Sequence, residues 1–165
     1  MAIKDALLPE LDHEFATTRR LLERVPDDFD WKPHQKSMSL GQLAGHVANL
    51  PWWGSMTLEQ NFYDVASNAP GTRLDAPRSR EELLKDFDTK AAALRARLSE
   101  TTDAEMMEAW TLKSGPHEIF TMPRAMTFRS FVMNHLIHHR GQLSVYLRLK
   151  DVPLPSIYGP TADEQ

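Results

Sequence analysis

Two histidines one helical turn apart, His135 and His139, stand in the run His135-Leu136-Ile137-His138-His139-Arg140-Gly141-Gln142. Imidazoles spaced i, i+4 on a helix sit about 5–6 Å apart at Cβ and can grip one ion between them. Winding residues 127–150 as an α-helix at about 100° per residue places Phe128, Phe131, Val132, His135, His139, Gln142, Leu143 and Tyr146 on one side. Arg129, Arg140, Ser144 and Arg148 fall on the other, so Arg140 is expected to point outward and is not assigned to catalysis; a dimer contact or the helix end is its alternative place. A polar ring buried without a partner costs about 1–3 kcal/mol. The pair must therefore hydrogen-bond to neighbouring helices or hold an ion, and an ion needs a third ligand from elsewhere.

His46 is the candidate. It lies in the inner stripe Leu43, His46, Leu50 and Trp53 of an earlier helix. If that helix faces the last one, His46 meets His135 and His139. Three neutral imidazoles with an open fourth position form a catalytic pattern for a divalent metal, whereas a structural site closes with a fourth protein ligand. Imidazole must be neutral to ligate, so the ordinary histidine pKa predicts that affinity falls below about pH 6. Gln142, one turn beyond His139, could orient a ligand or a bound water. His138 adjoins the stripe and competes with His139, which lies nearer the stripe's centre. Trp53 and Tyr146 are candidate pocket walls, and core packing explains both rings equally well. His13, His34 and His117 fall in surface or loop contexts.

The elements that must position these groups are helical. Leu7, Leu8, Leu11, Phe15, Leu21 and Leu22 follow helical spacing from Lys4 to about Val25, ended by Pro26-Asp27-Asp28. A loop over residues 28–34 carries Trp31, expected to anchor against the bundle. Ser39-Leu40-Gly41-Gln42 matches a capping box and opens a second helix to roughly Val65, with Pro51 expected to kink it. Residues 61–78, rich in Pro, Gly, Asn and Ser, read as a loop. Ser79-Arg80-Glu81-Glu82 caps a third helix to about Glu100, with Leu83, Leu84, Phe87, Leu94 and Leu98 inward. Between Thr101 and Met126 helical periodicity is lost, and a short β-hairpin or an irregular excursion is expected. The Pro-containing tail 153–160 cannot be helical. Four amphipathic helices with long connections predict an all-α four-helix bundle, a single domain over residues 1–165.

Bulk composition narrows the function classes. Hydrophobic residues are 41% and charged residues 25% of the 165, which is globular composition. A net charge of −4 and the lack of a basic stripe argue against nucleic acid or anionic membrane as partner. With no cysteine, disulfides, thiolate metal sites and a cysteine nucleophile are excluded. No apolar run approaches the roughly 18 residues of a membrane span. Acidic residues arrive too early for a signal peptide, so a cytoplasmic, soluble protein is expected.

His135-x-x-x-His139-Arg140-Gly141-Gln142, with His46 on a capped earlier helix, resembles the DinB/YfiT-like metal-binding family. Trp31-Lys-Pro-His-Gln-Lys-Ser and the ending Tyr158-Gly-Pro-Thr-Ala-Asp-Glu extend the resemblance over most of the chain. It implies a DinB-like four-helix bundle, usually dimeric, holding zinc or nickel on His46, His135 and His139. Relatives of that kind include thiol S-transferases using bacillithiol or mycothiol and a mycothiol-dependent maleylpyruvate isomerase. The implied function is a metal-dependent transferase that joins a small-molecule substrate to a low-molecular-weight thiol. The alternatives are a hydrolase using the same metal and a non-catalytic metal-binding stress-response protein. No general base accompanies the three histidines in sequence, which weighs against hydrolysis.

Overall fold

The structure is a computed structural model that describes residues 1–67 and 76–164. Helices α1 (Ile3–Leu22), α2 (Leu40–Glu59), α3 (Arg80–Glu100) and α6 (Asn134–Leu149) form the expected four-helix bundle, with short helices α4 (Asp103–Met107) and α5 (Arg124–Met126). Around the bundle α1 packs on α3, α3 on α2, α2 on α6, and a thin α6–α1 seam closes the ring. Its core is aliphatic and aromatic, built from residues such as Leu11, Leu21, Leu43, Leu50, Phe87, Leu94, Leu98, Phe128 and Leu143.

Helix starts follow their capping chemistry. Ser39 Oγ accepts from Gln42 N–H at 3.1 Å, and Gln42 Oε1 accepts from Ser39 N–H at 2.9 Å, so α2 opens on a complete capping box. Ser79 Oγ caps α3 through Glu82 N–H. Helix α2 carries Pro51 within it and ends at Glu59, six residues before the expected Val65. Gly54 lets α2 approach α3: a Cβ there would stand 2.4 Å from Leu94 Cδ2.

Residues 61–78, expected to be a loop, contribute β1 (Phe62–Asp64) and a 3-10 turn, Val65–Ser67. The part of that loop over residues 68–75 lies outside the described residues. Strand β1 pairs in parallel with β2 (Ala109–Ser114), which forms the expected hairpin with β3 (His117–Pro123). Three residues carry too little periodicity to announce a strand. The sheet docks onto the bundle through fully buried Trp110, whose ring neighbours are Phe120 and Phe131.

The last helical run differs most from its expected form. Between α5 and α6, Thr127–Met133 is π-helical, and Asn134 N–H donates to Arg129 C=O, an i→i−5 bond. A continuous α wheel would set Thr127 opposite Leu136 and Leu147, yet all three are buried, because the wider turns shift the phase. The buried face of α6 is Leu136, Arg140, Leu143 and Leu147. At about 100° per residue its centre lies about 90° from the midpoint of His135 and His139. The histidines therefore stand on the flank of the buried stripe. Arg140, expected outward, is 1% exposed. The leucines at i, i+7 and i+11 marked this face, but a charged residue within it hid the pattern.

Candidate metal centre

His46 lies in the second turn of α2, and His135 and His139 lie in the first two turns of α6. Packing of α2 against α6 brings all three together, each half-buried, with one ring nitrogen apiece lying within 4.8 Å of the others. Ring centroids are 4.5 Å apart for His46–His139, 4.6 Å for His135–His139 and 5.0 Å for His46–His135. Nitrogens bound at about 2.0–2.1 Å to a tetrahedral ion stand roughly 3.3 Å apart. His46 Nε2 and His135 Nε2 are 3.2 Å apart, so that pair already has the spacing of two ligands on one such ion, with a His139 nitrogen within 4.8 Å of both. Among the described residues no carboxylate joins the group, which consists of three imidazoles.

Electrostatics keep the rings in the ligating form. Burial, reinforced by the neighbouring His139 and His135, pushes the His46 imidazole down to about 4. Burial, with His139 and His138 nearby, does the same to His135, also to about 4. His139 is lowered mainly by burial. Protons therefore compete with a metal at lower pH than the ordinary histidine pKa had suggested, which moves the expected loss of affinity from about pH 6 toward pH 4.

The ring orientations have separate causes. His139 Nδ1 lies 2.7 Å from Gln142 Oε1, so Nδ1–H donates to the amide and leaves the Nε2 lone pair free. His135 Nδ1 is buried without a hydrogen-bond partner, and its ring packs on Phe131 at 5.5 Å. His138 is exposed, with its ring 4.8 Å from His139, and stands outside the three-nitrogen group.

The two candidate wall residues sit farther out. Trp53 is 7% exposed and packs on Phe131 at 5.6 Å, one ring behind His135. Tyr146 is half-buried; its hydroxyl donates to Met38 C=O at 3.3 Å and its ring meets Trp31 edge-on at 5.7 Å. That contact is the anchoring expected of Trp31. A separate groove of about 390 Å³, lined by Trp52, Met56, Phe62 and Tyr63 among others, lies where α2 meets β1. The sequence held no signal for it, because β1 itself was not foreseen.

Comparisons with known proteins agree with this architecture. The chain is 24% identical over 162 residues to the uncharacterized protein YrdA of Bacillus subtilis (strain 168), covering 97% of this chain and 90% of the relative. A crystal structure of a DinB-like protein from Bacillus cereus ATCC 10987 superposes with a TM-score of 0.67 at 22% identity, covering 93% of this chain and 97% of that one. The DinB-like protein YjoA from Bacillus subtilis gives a TM-score of 0.68 at 18% identity, over 97% and 99% of the two chains. At these identities the structural likeness speaks for the fold. The family model of the DinB superfamily matches residues 10–143, and the chain belongs to that superfamily.

Proposed function

We propose that the chain binds one divalent ion, zinc or nickel, on His46, His135 and His139, and transfers a small electrophile to a low-molecular-weight thiol. The observation carrying this reading is the convergence of three half-buried imidazoles with no carboxylate among them. Bound there, a divalent cation supplies Lewis-acid stabilisation of an anion such as a thiolate in its remaining position.

The chain's own residues do the rest. His46 and His135 stay neutral at pH 7 because burial holds their pKa near 4. Gln142 accepts from His139 Nδ1–H, which leaves Nε2 as the nitrogen with a free lone pair. Phe131 shields one side of His135 from water. Hydrolysis by the same centre is the weaker reading: a water nucleophile would want a general base, and no carboxylate joins the group among the described residues.

The test is elemental analysis of tag-free protein, followed by a panel of small thiols offered with an electrophile such as monochlorobimane. One equivalent of metal and thiol consumption that vanishes in His139→Ala is the expected result. Full metal occupancy without turnover of any thiol would leave a non-catalytic metal-binding protein.

A further inference from the structure

Arg140 follows His139 in the chain and points into the α6–α1 seam, where it is 1% exposed. Its Nη1 lies 2.6 Å from Glu14 Oε2, and the same nitrogen donates to Glu14 C=O at 3.2 Å and to Thr18 Oγ1 at 3.3 Å. Its Nη2 donates to the Tyr158 hydroxyl at 2.5 Å. That hydroxyl in turn donates to the Glu14 carboxylate, 2.8 and 2.9 Å from its two oxygens. Tyr158 is 63% exposed, so its ring lies outside while the hydroxyl closes the ion pair.

Tyr158 belongs to the Pro-containing tail, which is tied to both helices of the seam. Arg20 of α1 donates to Ser156 C=O at 3.0 Å, and Arg24 pairs with Glu164 at 2.9 Å. From α6, Arg148 pairs with Asp163. Asp163 also accepts from Leu154 N–H, and Glu164 from Ser156 N–H, which holds the tail in shape.

We infer that Arg140, Glu14 and Tyr158 are positioning residues for the histidine centre: a buried ion pair, sealed by the tail, that sets how α6 presents His135 and His139 to His46. The inference rests on the metal reading for its purpose, though not for its geometry. Leu136, Leu143 and Leu147 set which face of α6 is buried, but apolar contact has no bond direction with which to hold that rotation to within a few degrees. A guanidinium held by a carboxylate, a carbonyl and two hydroxyls has one. An imidazole about 6 Å from the helix axis moves roughly 2 Å when the helix turns by about 20°. Ligand nitrogens tolerate only about 0.2 Å around a metal.

The closing experiment compares wild type, Tyr158→Phe, and the double variant Glu14→Leu with Arg140→Met, which replaces both charges by apolar side chains. Two readouts are taken on protein shown by circular dichroism to be helical. The first is cross-relaxation between the His46 and His135 ring protons in metal-free protein. The second is the affinity and visible absorption spectrum of Co²⁺ titrated into the site. Positioning predicts that the double variant keeps its helicity and melting temperature, loses the ring-proton contact, binds Co²⁺ at least tenfold more weakly and shifts the spectrum. Tyr158→Phe changes in the same direction by a smaller factor, and it decides the matter if the double variant does not fold. Helical variants with wild-type ring contacts, affinity and spectrum would overturn the inference. Should wild type bind no Co²⁺, the metal reading fails, and the ring-proton contact still decides positioning.

Discussion

Helix α6 carries two polar features about a third of a turn apart on the helix wheel, and they are built on opposite principles. Arg140 is fully buried and has a partner for its charge and for several of its donors. The three histidines are half-buried, crowd one another, and leave His135 Nδ1 with no partner. Burial favours the neutral form of the imidazoles and frees their lone pairs, while the carboxylate of Glu14 holds the guanidinium in place. A buried polar group whose bonds are all made inside the protein stabilises one arrangement. A cluster with bonds left to make is suited to take a ligand.

The sharpest way to break this contrast is to remove a member of each feature. His139→Ala should abolish metal uptake at micromolar concentrations while changing the melting temperature of metal-free protein little, as read by elemental analysis and calorimetry. Arg140→Ala should do the reverse in rank, costing about 3–5 kcal/mol in chemical denaturation because Glu14 is left buried and uncompensated. A loss below about 1 kcal/mol would mean that the seam relaxes and lets water reach Glu14.

Acid should separate the two features next. The folded-state pKa of His46 and of His135 is about 4, against the ordinary histidine value of 6.5, so the unfolded chain takes up protons first as pH falls. Stability of metal-free protein is therefore fully present above about pH 6.5 and is lost as pH drops through about 4. The loss should be on the order of 2–3 kcal/mol for the two rings together, allowing for residual solvent access. His46→Gln should remove much of that slope, which urea titrations at several pH values would show.

The smallest effects concern the neighbours of the centre. Gln142→Ala should weaken metal binding about tenfold, the lower end for a group that orients a ligand through a hydrogen bond. His138→Ala should leave affinity within about threefold, since that ring stands outside the group. Complete metal loss in His138→Ala would reassign the ligand.

Much of the fold could be read from local pattern. The capping boxes and the 3.6-residue spacing located α1, α2 and α3 to within a few residues at most ends. The stop of α2 at Glu59 was not legible, because β1 draws the following residues into a sheet whose partner, β2, lies far along the chain. Its parallel pairing is a long-range choice with no local signature. The π-helical turn was equally silent, and it put every wheel drawn through residues 127–150 out of phase.

The three histidines were legible for a different reason. His135 and His139 share a helix face whatever the rotation of that helix, since i, i+4 neighbours always do. His46 could be named because it interrupts an apolar stripe. Gln142 follows from the same spacing, and its bond to His139 is local. Glu14 and Tyr158 had no such signal, being 126 and 18 residues from Arg140 in the chain.

By itself, then, the sequence determined that four helices form, where three of them start, and that His135 and His139 share a face, because these depend on periodicity and on contacts within a turn or two; that His46, 89 residues from His135, joins them was decided by the packing of α2 on α6. Only the tertiary structure decided how α6 is rotated. Its buried face is Leu136, Arg140, Leu143 and Leu147, and the histidines stand at its edge, half-open to solvent. That rotation comes from the fit of α6 against both α2 and α1, where an ion pair to Glu14 outweighs the usual preference of arginine for water.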